Sequence, residues 1–553
     1  MNKRISNKKW IYQQTKGSRL YLFLLSIVVI ISVITNLLIA YVLKLFIDAA
    51  TNDTSLLLKD ILILSSAVLI IGGLMYIAAS AIRANIECNI ELKIRTSIMD
   101  NVLNGDFYEI QKLHTGDVLT KLTNDVSAVA TFYPNFVNDI IGGLSISILS
   151  VVSMFILSPK IAIAIVVIIP ILIAIISLFN FPIAKADKLR KKNDEDNRIM
   201  MQEQLSKIKT IKYYSIQSRI LLKLNKLYKE FKRSKVIFGI WEGFAAFSNG
   251  LIGNAMLIIT LGLGSYLVYI GETTVGSLIA IVQLLNYIIT PFSRISKAVS
   301  NMAQANTSAD RIMEILSIKR ACLYKEKLED FNSLIIEDLS FSYEDKNVLN
   351  NINIEFRKNN AYCIIGDNGS GKSTLINLIA GLFEPKEGRI YLDSKSKGDN
   401  STYISPQNHL SVVSSNELPF TGTIRENILL FNEDYDSDSL NHVAKMTNIL
   451  EFINNLPQGF DTMILENGKT LSSGQIQRLV LSRALYYNND IIIFDEPTSN
   501  LDIDSVDLFK SVIKEIKTNK LIIIVTHDDT IMQACDYCYK LVDGGIIRTN
   551  LSA

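Results

Sequence analysis

Six stretches of the chain are too long and too evenly apolar for the core of a water-soluble domain: residues 20–43, 61–82, 136–157, 161–181, 244–270 and 275–289. A hydrocarbon layer of roughly 30 Å is crossed by about 20 residues of helix, so the pattern predicts six membrane spans. The polar positions fall into two kinds of connection. Three are short and poor in positive charge, with Lys44 and Lys59 in the first, Lys160 in the second and none between Gly271 and Thr274. The other two, residues 83–135 and 184–243, are long, helical in composition and rich in charge. The N-terminus is basic as well, carrying Lys3, Arg4, Lys8, Lys9, Lys16 and Arg19 ahead of the first span. Because Lys and Arg are retained on the cytoplasmic side, the long connections and the N-terminus are expected there, in a multi-pass protein of the plasma (inner) membrane. Folded as helical hairpins, such connections would reach on the order of 30 Å beyond the bilayer. One tip is expected at His114 to Asp125, where Gly116 breaks a helix, and the other near Gln204 to Tyr214.

The pattern changes after Ile315. Residues 318–331 mix charge with few apolar positions and read as a linker. Beyond it, short buried-strand patterns at 334–336, 351–356, 362–365, 491–494 and 521–525 alternate with helical stretches. The predicted organisation is an all-α six-helix transmembrane domain at 1–317, the linker, and an α/β domain at 332–553.

Composition narrows this without redirecting it. Across 553 residues the mean hydropathy is +0.26, which suits a membrane protein with a soluble part. A net charge of +2 provides no basic field for nucleic acid. The cysteines Cys88, Cys322, Cys363, Cys535 and Cys538 make no framework, and the single C-x-x-C at Cys535 reads as chance spacing in a reducing cytosol. No cleavable signal peptide is expected, since the first apolar run is too long for one. No proton relay is expected either, because no Asp, Glu, Lys or Arg occupies the middle of a span. Asn36, Asn249, Asn254, Gln283, Asn286, Tyr41, Tyr266 and Tyr287 are the polar span residues. They either hydrogen-bond between helices or, for Gln283, Asn286 and Tyr287, line a central cavity.

Chemistry enters at Gly366-Asp367-Asn368-Gly369-Ser370-Gly371-Lys372-Ser373-Thr374, which matches G-x-x-x-x-G-K-[ST] after the apolar run 362–365. Glycines at these positions let backbone amides turn onto a phosphate, the lysine reaches the terminal phosphates, and the Ser373 hydroxyl can hold Mg²⁺. The helix that follows presents its positive end to the same anion. ATP with Mg²⁺ is the expected cofactor pair.

Four further motifs follow in order: Leu471-Ser-Ser-Gly-Gln475, the run from Ile491 to Asp495-Glu496, Ser499-Asn-Leu-Asp502, and Val525-Thr-His527. With the phosphate loop and the T-G-D-V-L-T-K-L-T-N-D of the first long connection, the whole chain resembles an ABC transporter, as an exporter-type half-transporter. The resemblance implies roles for particular residues. Asp495 would share the Mg²⁺ shell with Ser373, Glu496 would orient or deprotonate the attacking water, and His527 would reach the γ-phosphate. Tyr343 would stack on adenine. Ser472, Ser473, Gly474 and Gln475 would close over nucleotide held by a second subunit, with Asp502 beside them, so that a homodimer completes each site. Two departures stand out. Ser473 replaces the glycine of L-S-G-G-Q, and the family's metal-to-membrane glutamine falls on Ser415, leaving Pro406-Gln407 eight residues early.

The partners implied are a second copy of the chain, membrane lipid and a small amphipathic or peptide substrate, with no nucleic acid. Peptide export is the preferred expectation over drug or lipid efflux. No protease domain precedes the first span, so leader cleavage is not expected of this chain. The alternatives are an ATP-gated regulatory protein or channel with little turnover, and one half of a heterodimeric exporter.

Overall fold

The computed structural model describes residues 7–51, 58–321, 331–344, 346–393, 406–414, 417–465, 468–498 and 503–549. The predicted linker, Ser415 and the Ser499–Asp502 motif therefore fall wholly or largely outside the described residues. The chain divides into two compact units, one of residues 1–101 and 114–317, the other of residues 102–113 and 318–553.

The first unit is helical. Its long helices are α1 (Arg19–Thr51), α2 (Leu58–Asn104), α4 (Thr115–Leu157), α5 (Pro159–Ser206), α7 (Gln217–Tyr269) and α8 (Val275–Leu316). Two short helices lie between them, α3 (Phe107–Ile110), which belongs to the second unit, and α6 (Ile208–Tyr213). Among the described residues, α1, α2, α4 and α7 are long and apolar enough to cross a membrane, while α5 and α8 carry shorter apolar stretches, Pro159–Ile168 and Val275–Ile288. In α2 the seam is one residue wide: Ile86, Ile90, Ile94 and Ile98 recur every fourth position at 2% exposure or less, whereas Leu92 is 66% exposed. One junction is tight. Asp48, near the end of α1, accepts hydrogen bonds from the Gly276 amide (3.1 Å) and the Thr274 hydroxyl (3.2 Å), capping the start of α8. A Cβ on Gly276 would meet the Lys44 carbonyl oxygen and the Asp48 carboxylate at 2.5 Å, so the helices approach this closely only over glycine.

The turn expected at Gly116 lies elsewhere. Gly116 sits inside the first turn of α4, which begins at Thr115 with His114 as its N-cap, and the chain reverses earlier, through Gly105 and α3. Asp106 caps α3 by accepting from the Tyr108 amide, which glycine at position 116 could not do. Within α4, Lys121–Asp125 and Val137–Gly142 are π-helical. The first π turn places Lys121 and Asp125, at 3% and 6% exposure, on the buried side together. There Lys121 reaches Asp117 and Glu314 at 3.0 Å each, and Arg311 reaches Asp117 at 2.9 Å and Asp125 at 3.4 Å. Ser308 donates to Asp125 at 2.8 Å. The T-G-D-x-x-x-K-x-x-x-D spacing is thereby bound to the last turns of α8.

The second unit is built on strands β1 (Ser333–Tyr343), β2 (Lys346–Arg357), β3 (Ala361–Ile365), β4 (Glu387–Asp393), β5 (Leu410–Ser414), β6 (Ile491–Asp495), β7 (Leu521–Val525), β8 (Tyr537–Val542) and β9 (Gly545–Thr549). An antiparallel sheet runs β2-β1-β4, and a second sheet runs β9-β8-β3-β7-β6-β5, parallel except for the β8-β9 hairpin. The apolar runs predicted at 334–336 and 351–356 fall in β1 and β2 of the antiparallel sheet, and those at 362–365, 491–494 and 521–525 are β3, β6 and β7, inner strands of the large sheet. In β6 and β7, residues 491–494 and 521–524 are 0% exposed, since helices cover both faces of a parallel sheet. Each such side chain contributes about 1.5–3 kcal/mol on burial. The aromatic surface of β1 is covered by α3: the Tyr108 ring lies 5.9 Å from Tyr343, 5.8 Å from Phe383 and 6.4 Å from Phe341.

Candidate nucleotide site

Three adjacent parallel strands end side by side on one edge of the large sheet. In register, Ile364 of β3 pairs with Val525 of β7, and Val525 pairs with Asp495 of β6. The residues just beyond these ends, Gly366, His527 and Glu496, are therefore brought together by topology from positions far apart in the chain.

The loop after β3 wraps around Lys372, the first residue of helix α9 (Lys372–Ile379). Gly369 and Gly371 hold φ of +83° and +104°, the left-handed region that glycine enters without strain. Lys372 is 7% exposed, and its ammonium donates to the carbonyls of Gly366 (2.6 Å) and Asp367 (3.0 Å). The Ser370 hydroxyl is buried with no hydrogen-bond partner. A buried ammonium satisfied only by loop carbonyls and an orphaned hydroxyl beside it fit an anion with several acceptor oxygens, as a polyphosphate is. Ser373 and Asn368 are exposed at the mouth, and Thr374 shares a 3.1 Å hydrogen bond with the Tyr343 hydroxyl. That bond fixes the ring at the edge of the loop, where the resemblance expects an adenine platform.

Burial, with the negative charge of Glu496 next to it, raises the Asp495 carboxyl above its ordinary range, while Lys372 opposes the rise. A carboxylate made uncomfortable in this way suits a cation, and Asp495 with the Ser373 hydroxyl are the two groups that would hold Mg²⁺. Glu496 holds φ of +51°, a left-handed conformation rare for a residue with a side chain, and its amide donates to the Val525 carbonyl at 2.9 Å. This turn lifts its carboxylate out of the strand to 4.0 Å from His527 Nε2, with both side chains accessible. An accessible carboxylate at this edge can take a proton from water, and the histidine can donate to an anion.

Ser472 caps helix α10 (Ser473–Tyr486) through a reciprocal capping box: its hydroxyl accepts from the Gln475 amide and the Gln475 side chain accepts from the Ser472 amide. The Ser473 and Gly474 amides point from the first turn. Ser473, the serine in place of glycine, is exposed on this turn. Asp502 lies outside the described residues.

Gln407 is at the wrong end of its strand for a metal-side role. It precedes β5, whose Leu410 pairs with Ile491, and it donates to the Gly381 carbonyl at 2.7 Å beyond the end of α9. Asp495 pairs with Ser414, at the other end. The residue that follows, Ser415, is outside the description, but two residues on Glu417 pairs with Arg483 of α10, which also donates to the Asn427 carbonyl at 2.9 Å. Burial raises the Glu417 carboxyl even against the guanidinium. Arg483, Glu417 and Asn427 join α10 to the loop after β5, and sequence reasoning missed them. It also missed Tyr108, although the aromatic pair Phe107-Tyr108 ahead of the T-G-D stretch was a readable signal.

The helical unit carries a half-open apolar cavity of about 370 Å³ whose lining includes Tyr41, Ser153 and Leu284. Gln283, Asn286 and Tyr287 do not line it. Among the described residues no group of His, Cys, Asp and Glu forms a metal-binding cluster.

Comparison with known proteins places both units. The family described as ABC transporter transmembrane region matches residues 20–292, and the family described as ABC transporter matches residues 349–499. The chain is 28% identical to the uncharacterized ABC transporter ATP-binding protein YknU of Bacillus subtilis over 443 residues, covering 79% of this chain and 75% of that protein. It is 27% identical to a putative multidrug export ATP-binding/permease protein of Staphylococcus aureus over 453 residues, covering 81% and 78%. A bacterial Atm1-family ABC exporter solved with ATP bound has a TM-score of 0.76 at 19% identity, covering 98% of this chain and 95% of that one, a likeness of fold.

Proposed function

Since the chain belongs to the ABC transporters, with an exporter-type membrane region and one ATP-binding cassette on a single polypeptide, we propose that two copies form a homodimer that exports an amphipathic substrate, a peptide in preference to a drug or lipid, by alternating access. The family makes the chain a nucleotide-binding ATPase coupled to transport. The finer reading rests on one observation: the capping box at the start of α10 satisfies the Ser472 and Gln475 amides and leaves those of Ser473 and Gly474, on a turn whose Ser472 and Ser473 are exposed, for an anion such as a phosphate held by another chain. In the dimer, ATP held by Lys372 and the Ser370–Thr374 loop of one copy is closed over by the α10 turn of its partner. Ser373 and Asp495 would hold Mg²⁺, which would supply positive charge against the phosphates. Glu496 positions and deprotonates the attacking water, His527 donates toward the γ-phosphate, and Tyr343 holds the base.

Binding favours the closed pair and hydrolysis releases it, which gives the two-state bias that alternating access needs. The ATPase unit and N-terminus face the cytoplasm of the plasma membrane, a reading supported by the charge of the long connections. The missing glutamine predicts looser communication between metal and membrane helices, with turnover persisting when no substrate is bound.

The test is phosphate release by the purified chain in nanodiscs, alone and with candidate peptides. Glu496→Gln is expected to lower turnover by about 10²–10⁴-fold while trapping ATP in a stable dimer, and Lys372→Ala to abolish trapping. A chain that stays monomeric while turning over ATP at full rate refutes the shared site. Peptides that leave turnover unchanged, where drug-like amphiphiles stimulate it, move the substrate to the other class.

A further inference from the structure

Where α5 and α7 leave their apolar runs, residues of both helices line an open groove of about 1150 Å³, outside the nucleotide site and the apolar cavity. One wall is a basic face of α5: Lys185, Lys188 and Lys192 recur at spacings of three and four and line the groove together. The acidic residues of the lining do not neutralise it. Asp187 is engaged by Arg190 at 2.6 Å and Lys191 at 2.8 Å, and Glu195 is the only other carboxylate lining the groove. Among the described residues no acidic side chain lies within ion-pair distance of Lys185, Lys188 or Lys192. The floor is apolar, formed by Phe181 at 77% exposure, Ile237 and Trp241. Arg190 is drawn away, its guanidinium 5.0 Å from the Phe238 ring centre.

We infer that this groove binds an anionic membrane lipid, its phosphate held by Lys185, Lys188 and Lys192 and its acyl chain laid along Phe181, Ile237 and Trp241. Depth selects a lipid over a soluble phosphate compound. Phe181 ends the apolar run of α5 and Trp241 stands three residues before that of α7, so cations and apolar floor meet at the level of the headgroups. Three unpaired ammonium groups there attract anionic lipid, each raising its local concentration about fivefold at the membrane surface. The inference needs the helices to cross a bilayer, which family membership supplies. It needs neither the homodimer nor the peptide substrate proposed above.

Tryptophan fluorescence tests it directly, because the chain has only Trp10 and Trp241. In nanodiscs of phosphatidylcholine, with Trp10→Phe isolating the signal, a small fraction of brominated phosphatidylglycerol is expected to quench Trp241 at least about fivefold more efficiently than the same fraction of brominated phosphatidylcholine. Replacing all three lysines by glutamine should equalise the two lipids without changing ATP turnover in pure phosphatidylcholine. If Trp10→Phe fails to fold, subtracting the signal of Trp241→Phe from that of the native chain gives the same quantity. Equal quenching by both lipids in the native groove overturns the inference. So does a preference that survives the triple substitution, and so does quenching by neither lipid, which would mean that a second copy or other protein covers the groove.

Discussion

The two units obey opposite rules of burial. In the cassette the central strands are sealed, with residues 491–494 and 521–524 at 0% exposure, and charged groups gather at the strand ends where chemistry is done. In the helical unit large apolar side chains point outward, Ile156 at 78% and Tyr269 at 89% exposure, while the charges Lys121 and Asp125 are buried at 3% and 6%. The surrounding medium explains the first half of the contrast: lipid leaves an exposed isoleucine without penalty, so packing there depends on narrow seams and polar contacts. The second half concerns position. Lys121 and Asp125 lie outside the apolar spans, in the part of α4 that reaches beyond the membrane, and they bind helices where no lipid and little apolar surface would.

Substitutions at matched isoleucines should sharpen this contrast most strongly. Ile493→Ala in β6 is expected to cost about 2–5 kcal/mol and to lower the melting temperature of the cassette, whereas Ile70→Ala, at a position 63% exposed on α2, should cost almost nothing. Ile70→Lys should instead impair insertion, by about 3 kcal/mol, seen as loss of protein from the membrane fraction. A large melting shift from Ile70→Ala would break the comparison, since that face would then be packed against protein.

A smaller effect is expected at the charged network. Lys121→Met leaves Asp117 and Glu314 without their shared cation and should cost about 1–2 kcal/mol, with both partners partly solvated. The more telling readout is coupling: ATP turnover should persist while its response to substrate falls, and Lys121→Arg should restore it. Loss of basal turnover along with coupling would mean that the network supports folding alone.

The smallest effect is one of pH. The hydrogen bond from Lys121, with Arg311 adding to it, holds the Asp117 carboxyl below its ordinary range. A depressed carboxyl stabilises the fold above its unfolded pKa and ceases to do so as pH falls through the folded value. The melting temperature of the native chain should therefore decline below about pH 4 more steeply than that of Asp117→Asn. Parallel curves would show that the network carries no net energy.

How much of this was readable in the sequence depended on distance along the chain. The phosphate loop was legible because its chemistry is local: Gly369, Gly371 and Lys372 need fixed spacing and nothing else. The strands β3, β6 and β7 were legible as unbroken apolar runs, but β8 and β9 were not, since a short antiparallel hairpin alternates Tyr, Lys and Arg with its apolar residues. The π turns at Lys121 and Val137 escaped because one inserted residue shifts the helical period without leaving any composition signal. Arg483 and Glu417 meet across 66 residues, a pairing that no window along the chain contains. The left-handed turn at Glu496 was equally hidden, although the residue's role was not, because a motif names side chains and says nothing of the backbone that aims them.

The placement of Tyr108 bears on how the cassette can be handled in isolation. A fragment beginning at the linker lacks α3, and so strips the covering ring from Tyr343, Phe341 and Phe383, three aromatics that otherwise face it. Such a fragment would carry a greasy patch beside its own nucleotide pocket. Its tendency to clump, and any weakness in its grip on ATP, would then reflect the cut rather than the native enzyme.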